Sequence, residues 1–488
     1  LVMGSLAFQL ICVVVAFELP FTGGAMGTYG IPRFAIFGLA LPSDIAFYFV
    51  VWAFVLVTIA IGLNIDRSRI GRALKAIAIS EMTAGSVGMN TVKHKVQMFV
   101  VSAGMASVSG SLFVHFLRAV DPTVFGFVFS LNLVIAVIVG GLMSIWGGAV
   151  GAAIVTALRE GLRGLSLPMW ETVIMGALTA IVLIAFQRGF AGWISVQFDR
   201  LTGTRGGRPP SLTEPRPEAL PRLANAPPSG APLLEVAGAT RCFGSLRAVD
   251  DVSFTVEAGS ITALIGPNGA GKTTLLHLVG GYQPLDGGTI RFAGKPIDLL
   301  LPNRIAEEGI GRTFQNLQLF DNMTVLENVM CGRYRLQTSD ILAISANLPG
   351  VRRDEEAVRR AALDCLKFVG LQGAENLMAT ELSFGHMRLV EIARALALQP
   401  TLLLMDEPAS GLNDTETERL AELIAQISAL GITVLLVEHD MRVVMGLADK
   451  VVVMHHGKKI ADGPPDRIRV EPAVVAAYLG TESYETAA

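Results

Sequence analysis

At 488 residues the chain is long enough for two or three domains, and its 51% hydrophobic content with a mean hydropathy of +0.52 excludes an ordinary soluble enzyme over the whole length. The 39 basic and 42 acidic residues leave a net charge of -3, so no global field draws in nucleic acid, and no nucleic-acid partner is expected. Cys12, Cys242, Cys331 and Cys365 are scattered without a C-x-x-C spacing and read as reduced thiols.

In chain order, apolar runs predict spans at residues 1–19, 45–64, 96–117, 128–142, 147–160 and 169–187, against the ~20 residues needed to cross a bilayer. No basic region precedes the first run, so a cleavable signal is not expected. The fourth and fifth runs are short, and the intervening VGGLMSIWGGAVG is rich in glycine. The pair therefore reads as a discontinuous or re-entrant element. Residues 63–95 carry Arg67, Arg69, Arg72, Lys75, Lys93 and Lys95 against Asp66 and Glu81, a bias that puts this loop in the cytoplasm. Alternating crossings then return the chain to the cytoplasm at Gln187.

Residues 201–232 are rich in proline, poor in large apolar groups, and read as a linker between a transmembrane domain (1–200) and a soluble domain (233–481), with a tail at 482–488. In the soluble part, LLEVAGA, SITALIG, TIRFAG, TLLLMDEP and ITVLLVEH read as strands separated by helical periodicity. That pattern predicts a largely parallel α/β sheet. The expected fold class is thus multi-domain, an α-helical transmembrane part followed by an α/β P-loop part.

Gly266, Gly271, Lys272 and Thr273 fit G-x-x-x-x-G-K-[ST], with the strand ITALI before them and a helix start after them. In that context the loop Gly266, Pro267, Asn268, Gly269, Ala270, Gly271, Lys272, Thr273 and Thr274 is a cradle for nucleotide phosphates: converging N–H groups and a helix N-terminus face the phosphates. Lys272 reaches the terminal phosphates and the Thr273 hydroxyl ligates Mg²⁺. Leu402 to Met405 lead into Asp406 and Glu407 at the tip of an apolar strand. Such a pair fits a Walker-B carboxylate for the Mg²⁺ shell, Asp406, followed by a residue that orients or deprotonates water, Glu407.

With these motifs, residues 233–481 resemble the nucleotide-binding domain of ABC transporters. The resemblance implies ATP hydrolase activity and several further roles. ELSFGHMRL resembles the signature helix, in which Ser383 and Gly385 face the ATP held by an opposite ATPase subunit. His386 stands where the family has Gln. Gln315 in GRTFQN matches the glutamine that touches Mg²⁺ and water, His439 in LLVEHD the histidine that senses the γ-phosphate, and Phe243 the aromatic that stacks on adenine. SGLN at 410–413 resembles the loop that crosses the ATPase dimer. The adjacent His455 and His456 read as a turn, with no third ligand nearby for a metal.

The stretches TGGAMGTYGIPR, GRALKAIAISEMTAGSVGMN, SLNLVIAVIVGGLMSIWG and QRGFAGW resemble the permease of branched-chain amino acid (LIV-type) ABC importers, and GRTFQNLQLFDNMTVLENV resembles the same system's ATPase. Arg72–Asn90 resembles the coupling helix that docks into an ATPase groove. The resemblance implies a permease fused to its ATPase, working at the inner membrane among lipid. Its small-molecule substrate would be a branched-chain amino acid or related amide. Implied partners are a second permease subunit, a second ATPase subunit and a periplasmic substrate-binding protein. Family permeases have several earlier spans, so the resemblance implies either an N-terminally truncated fragment or a misplaced first codon. Two other readings stay open: a half-size exporter, and a membrane receptor or channel in which ATP binding is regulatory.

Overall fold

The computed structural model describes residues 2–20, 23–36, 39–40, 43–141, 144–164, 170–185, 217–220, 228–337 and 339–479. The end of the sixth expected span, QRGFAGW, most of the linker and the tail lie outside these residues. Compact units do not follow sequence order: one comprises Leu1–Asn64 and Val96–Gly206, the other Ile65–Lys95 and Gly207–Ala488.

Ahead of the linker run α1 (Val2–Glu18), α2 (Asp44–Asp66), α3 (Arg69–Ile79), α4 (Glu81–Ser86), α5 (Thr91–Leu117), α6 (Phe127–Gly140), α7 (Ile145–Gly164) and α8 (Glu171–Ala185). Among the described residues, α2 and α5 are the single helices long and apolar enough to cross a membrane. They leave Phe49, Trp52, Leu56, Phe99 and Val100 exposed, as a lipid-facing surface requires. α6 and α7 are bent by 115° at their break. Their backbones touch: a Cβ on Gly140 would lie 1.7 Å from the Gly147 carbonyl oxygen, and one on Gly151 1.8 Å from that of Ala136. Only glycine permits this approach.

In the other unit, α3 starts on Ser68, whose hydroxyl accepts from the amides of Ile70 (3.1 Å) and Gly71 (3.5 Å). Ser80 ends α3 and begins α4, accepting from the Thr83 amide at 3.2 Å. These two caps fold the charged loop into a helical pair rather than a coil. On α3 the buried positions Ile70, Ala73, Ala76 and Ile77 follow helical spacing and form one apolar stripe.

The soluble part contains β1 (Pro232–Phe243), β2 (Leu246–Glu257), β3 (Ile261–Ile265), α9 (Lys272–Val279), β4 (Gly287–Phe292), β5 (Lys295–Pro296), α10 (Pro302–Glu308), β6 (Ile310–Arg312), α11 (Val325–Gly332), α12 (Pro349–Phe368), α13 (Phe384–Ala397), β7 (Leu402–Asp406), α14 (Asp414–Ala429), β8 (Thr433–Val437), β9 (Lys450–His455) and β10 (Lys458–Gly463). The main sheet has the order β6-β7-β8-β3-β9-β10, parallel except for β10. β3, β7 and β8 are buried at every residue, the signature of strands covered on both faces.

SITALIG, TLLLMDEP and ITVLLVEH lie in this sheet. LLEVAGA and TIRFAG do not: they belong to a separate antiparallel sheet, β2-β1-β4-β5. The main sheet is largely parallel, as expected, but these two runs form a second, antiparallel sheet instead of joining it. Burial in β2 alternates along its second half, so one face meets solvent. The two-residue turn Gly244–Ser245, with Gly244 at φ +60°, reverses the chain at once, a connection open only to antiparallel strands.

Candidate functional site

β3 leads directly into the phosphate loop, and Gly271 caps the start of α9. Gly271 has φ +98°, and a Cβ there would sit 2.2 Å from the Ala248 carbonyl oxygen; on Gly266, at φ +149°, it would sit 2.1 Å from that of Met454. Backbone from β2 and β9 therefore presses on the loop, and glycine is required at both points. Lys272 Nζ donates to the carbonyls of Gly266 (2.6 Å) and Pro267 (3.1 Å), curling under the loop. Burial lowers its pKa, with Glu407 and Asp406 opposing the shift.

A cavity of about 770 Å³ opens over this loop, lined by the expected residues Phe243, Asn268, Gly269, Ala270, Gly271, Lys272, Thr273, Thr274, Gln315, Glu407 and His439. Gly266 and Pro267 lie in the loop without lining it. Asp406 sits beneath, 1% exposed, and burial raises its pKa. Ser383 and Gly385 are not among the lining residues.

Parallel pairing of β7 with β8 carries Asp406 and Glu407 to the strand end. Glu407 has φ +46°, unusual for a residue with a side chain, and its amide donates to the Val437 carbonyl at 2.9 Å. The Gln315 amide Nε2 donates to Glu407 Oε2 at 2.9 Å. Thr273, Gln315 and Asp406 bring hydroxyl, amide and carboxylate oxygens around the cavity, the donor chemistry of a hard divalent cation. Asp406 Oδ1 is buried with no hydrogen-bond partner among the described residues, so the carboxylate has capacity for a further positive group. The residues fit Mg²⁺.

Several neighbours escaped the sequence reading. Arg312, in the quoted GRTFQN, lies 3.5 Å from Asp406 and over the rings of Tyr282 and Phe314 at 5.0 and 5.1 Å. Glu438, in LLVEHD, is fully buried and accepts from the amides of Ala409 (2.8 Å) and His439 (3.1 Å). It thus ties the chain after Glu407 to the histidine. Arg247, Ala248 and His456 line the cavity from the β1–β2 hairpin region and the turn after β9. Only the fold brings them there, and no local pattern announces them. Arg241 stands over the Phe243 ring at 5.0 Å.

Ser383 caps α13; its hydroxyl is 3.1 Å from His386 Nδ1 and 3.4 Å from the His386 amide that donates to it. Burial lowers the His386 pKa. Further along α13, Arg388, Glu391 and Arg394 are at most 2% exposed. Glu391 pairs with Arg388 at 2.8 Å and Arg394 at 3.8 Å and accepts from the Phe314 amide at 3.1 Å. Arg388 donates to the carbonyls of Phe314 (2.7 Å) and Gln315 (3.0 Å), and Arg394 to that of Gln318 (2.7 Å). This charged core locks residues 314–318 to α13.

The segment 65–95 meets the same stretch. Thr83 Oγ1 donates to Gln318 Oε1 at 3.2 Å. Ala73, Ala76, Ile77, Ala84, Val87 and Met89 share one buried cluster with Phe320, Met323 and Cys331. Pro302, Asn303 and Ala306 of α10 lie beside Gly85 and Gly88. Arg72 pairs with Glu355 of α12 at 2.8 Å, the Arg69 amide donates to Glu355 at 2.9 Å, and His94 Nε2 is 2.5 Å from the Tyr334 hydroxyl. Residues 65–95 are therefore an integral part of the unit that holds the phosphate loop.

Family models match three stretches: ABC transporter over residues 249–410, branched-chain amino acid transport system permease component over 2–183, and branched-chain amino acid ATP-binding cassette transporter over 458–484. The chain is 45% identical over 251 residues to the high-affinity branched-chain amino acid transport ATP-binding protein BraF of Pseudomonas aeruginosa, covering 51% of this chain and 98% of that one. It is 41% identical to LivG of Escherichia coli K12 over the same shares. A solved nucleotide-free ATP-binding cassette from an ABC transporter aligns over 51% of this chain and 99% of that one, with 34% identity and a TM-score of 0.45. The chain belongs to the branched-chain amino acid ABC transporter family, with a permease part and an ATP-hydrolysing part on one polypeptide.

Proposed function

We propose that the chain is the combined permease and ATPase of an importer for branched-chain or related small amino acids. One observation carries the reading: Gln315, bonded to Glu407, and Gln318, bonded to Thr83 of the docked segment, lie on one short stretch clamped to α13. A change at the nucleotide is therefore felt at the segment that runs on into α2 and α5.

Each residue has a role in this reading. Phe243 stacks on adenine and Lys272 leaves its two carbonyls for the terminal phosphates. Thr273, Gln315 and Asp406 would hold Mg²⁺, which would screen the phosphate charge. Glu407 orients the attacking water and accepts its proton, and His439, fixed by Glu438, donates toward the γ-phosphate. Ser383 and Gly385 lie outside the cavity because they serve the ATP of a second ATPase subunit. A second permease subunit and a periplasmic binding protein complete the assembly at the inner membrane. Residues 65–95 are cytoplasmic, and the 115° turn between α6 and α7 makes that pair a re-entrant element, which keeps the ATPase on the same side.

The test is reconstitution of the chain with its partner subunits in proteoliposomes. The importer reading expects ATP hydrolysis stimulated by loaded binding protein, inward movement of leucine, and loss of about 100-fold or more in hydrolysis for Glu407→Gln. Efflux without a binding protein would make it an exporter. Hydrolysis indifferent to the binding protein, with no solute moved, would leave ATP a regulatory ligand.

A further inference from the structure

The GGAMGTYGIPR loop from Gly23 serves no purpose in the ATP chemistry, yet it is held in place. Thr28 and Tyr29 pair with Val120 and Ala119, the Ile31 amide donates to the Arg118 carbonyl at 3.2 Å, and His115 Nδ1 lies 3.1 Å from the Pro32 carbonyl oxygen. A Cβ on Gly27, at φ +71°, would meet the Val120 carbonyl oxygen at 2.2 Å. The loop is thereby fastened to the end of α5 and hangs Arg33 beside a cavity of about 700 Å³ between α2 and α5, a size in the range of small-molecule sites.

The cavity has two chemistries. Its wall is apolar: Phe47, Val51, Phe54 and Val55 recur at helical spacing on one face of α2, facing Leu112, Phe113 and Phe116 of α5. Its mouth is ionic. Asp44 Oδ1 is 3.0 Å from Arg118 Nη2 and 4.0 Å from Arg33 Nη2, so one carboxylate is shared by two guanidiniums. These side chains are 84%, 45% and 48% exposed, and pairs that open to solvent are worth only about 0–1 kcal/mol. A ligand can part them at little cost.

We propose that this cavity is a binding station for a free zwitterionic amino acid with an apolar side chain. The ammonium is taken by Asp44, the carboxylate by Arg118 with Arg33, and the side chain by the aromatic wall. An amino acid carries both charges on the carbon that bears its apolar group, which is the arrangement of the mouth and wall. This deepens the importer reading and rests on it for the identity of the solute.

The test uses the reconstituted assembly without binding protein, with radiolabelled L-leucine as probe and 4-methylpentanoate and 3-methylbutylamine as competitors that lack one charge each. Asp44→Asn is expected to weaken leucine about tenfold, or about 1.4 kcal/mol, and to leave competition by 4-methylpentanoate unchanged. Arg118→Gln is expected to weaken leucine and 4-methylpentanoate and spare 3-methylbutylamine; this opposite pattern could not arise from misfolding. Equal leucine affinity in wild type and both variants would overturn the proposal, as would displacement of leucine by phosphatidylglycerol, which would make the cavity a lipid site. Leucine uptake by the complete wild-type system, measured in parallel, tests the importer reading separately. Uptake with a silent cavity defeats only the station.

Discussion

Arg72 Nη2 lies 2.8 Å from Glu355 Oε2, with the arginine side chain 6% and the glutamate 22% exposed. A nearly buried charge whose partner is removed is expensive, so this ion pair fixes where the docked segment sits on α12. Arg72→Glu is expected to lower stability by about 3 kcal/mol and to abolish stimulation of hydrolysis by loaded binding protein. Reversing both charges, Arg72→Glu with Glu355→Arg, should restore most of that stimulation. Hydrolysis rates of the reconstituted single and double variants check this.

The core of Arg388, Glu391 and Arg394 makes a similar demand deeper in the ATPase. Burial raises the Glu391 pKa while the two arginines oppose it. Glu391→Gln removes the negative partner of both arginines and is expected to lower the unfolding midpoint by about 10 °C. Thermal unfolding of the full chain with and without ATP measures it.

Glycines of the α6–α7 turn differ sharply in what they tolerate. A Cβ on Gly151 would fall 1.8 Å from a backbone oxygen, whereas one on Gly148 meets nothing within 4 Å. Gly151→Ala should therefore force the two helices apart and bring uptake to background, with Gly148→Ala near wild type. Leucine uptake in proteoliposomes compares the two.

Burial lowers the pKa of His277 from 6.5 to about 4, with Arg312 adding to the shift. The folded state thus disfavours the protonated ring. Its contribution is intact above pH 6.5 and is lost as pH falls from 6.5 toward about 4. His277→Asn should flatten the dependence of the unfolding midpoint on pH over that window, which a series of thermal scans between pH 4 and pH 7.5 would reveal.

The phosphate loop and the Asp406–Glu407 pair were legible in the sequence because their chemistry is local: a strand, a glycine turn and a helix start follow one another along the chain. Arg312 and Glu438 were in plain view inside quoted motifs, but their importance comes from partners supplied by other strands. The antiparallel sheet is hidden in the sequence because LLEVAGA looks alike in either kind of sheet; the alternation that distinguishes them lies in β2, whose interspersed charges mask its strand character. The charge bias of residues 63–95 marks them as a loop outside the bilayer, while their apolar stripe, Ala73, Ala76 and Ile77, is too short to declare its partner, Phe320 and Met323.

Residues 65–95 also redraw the boundary of the folding unit. The chain passes between the two units at 64–65, 95–96 and 206–207, so the ATPase is completed by an insert that is made long before it. A fragment cut in the proline-rich stretch would begin life as an orphan, showing water the side chains of Phe320, Met323 and Cys331, which are no more than 1% exposed in the whole protein. Newly synthesised 65–95 must likewise wait for its host. In this polypeptide a loop between two permease helices and a soluble enzyme's core are the same piece of matter.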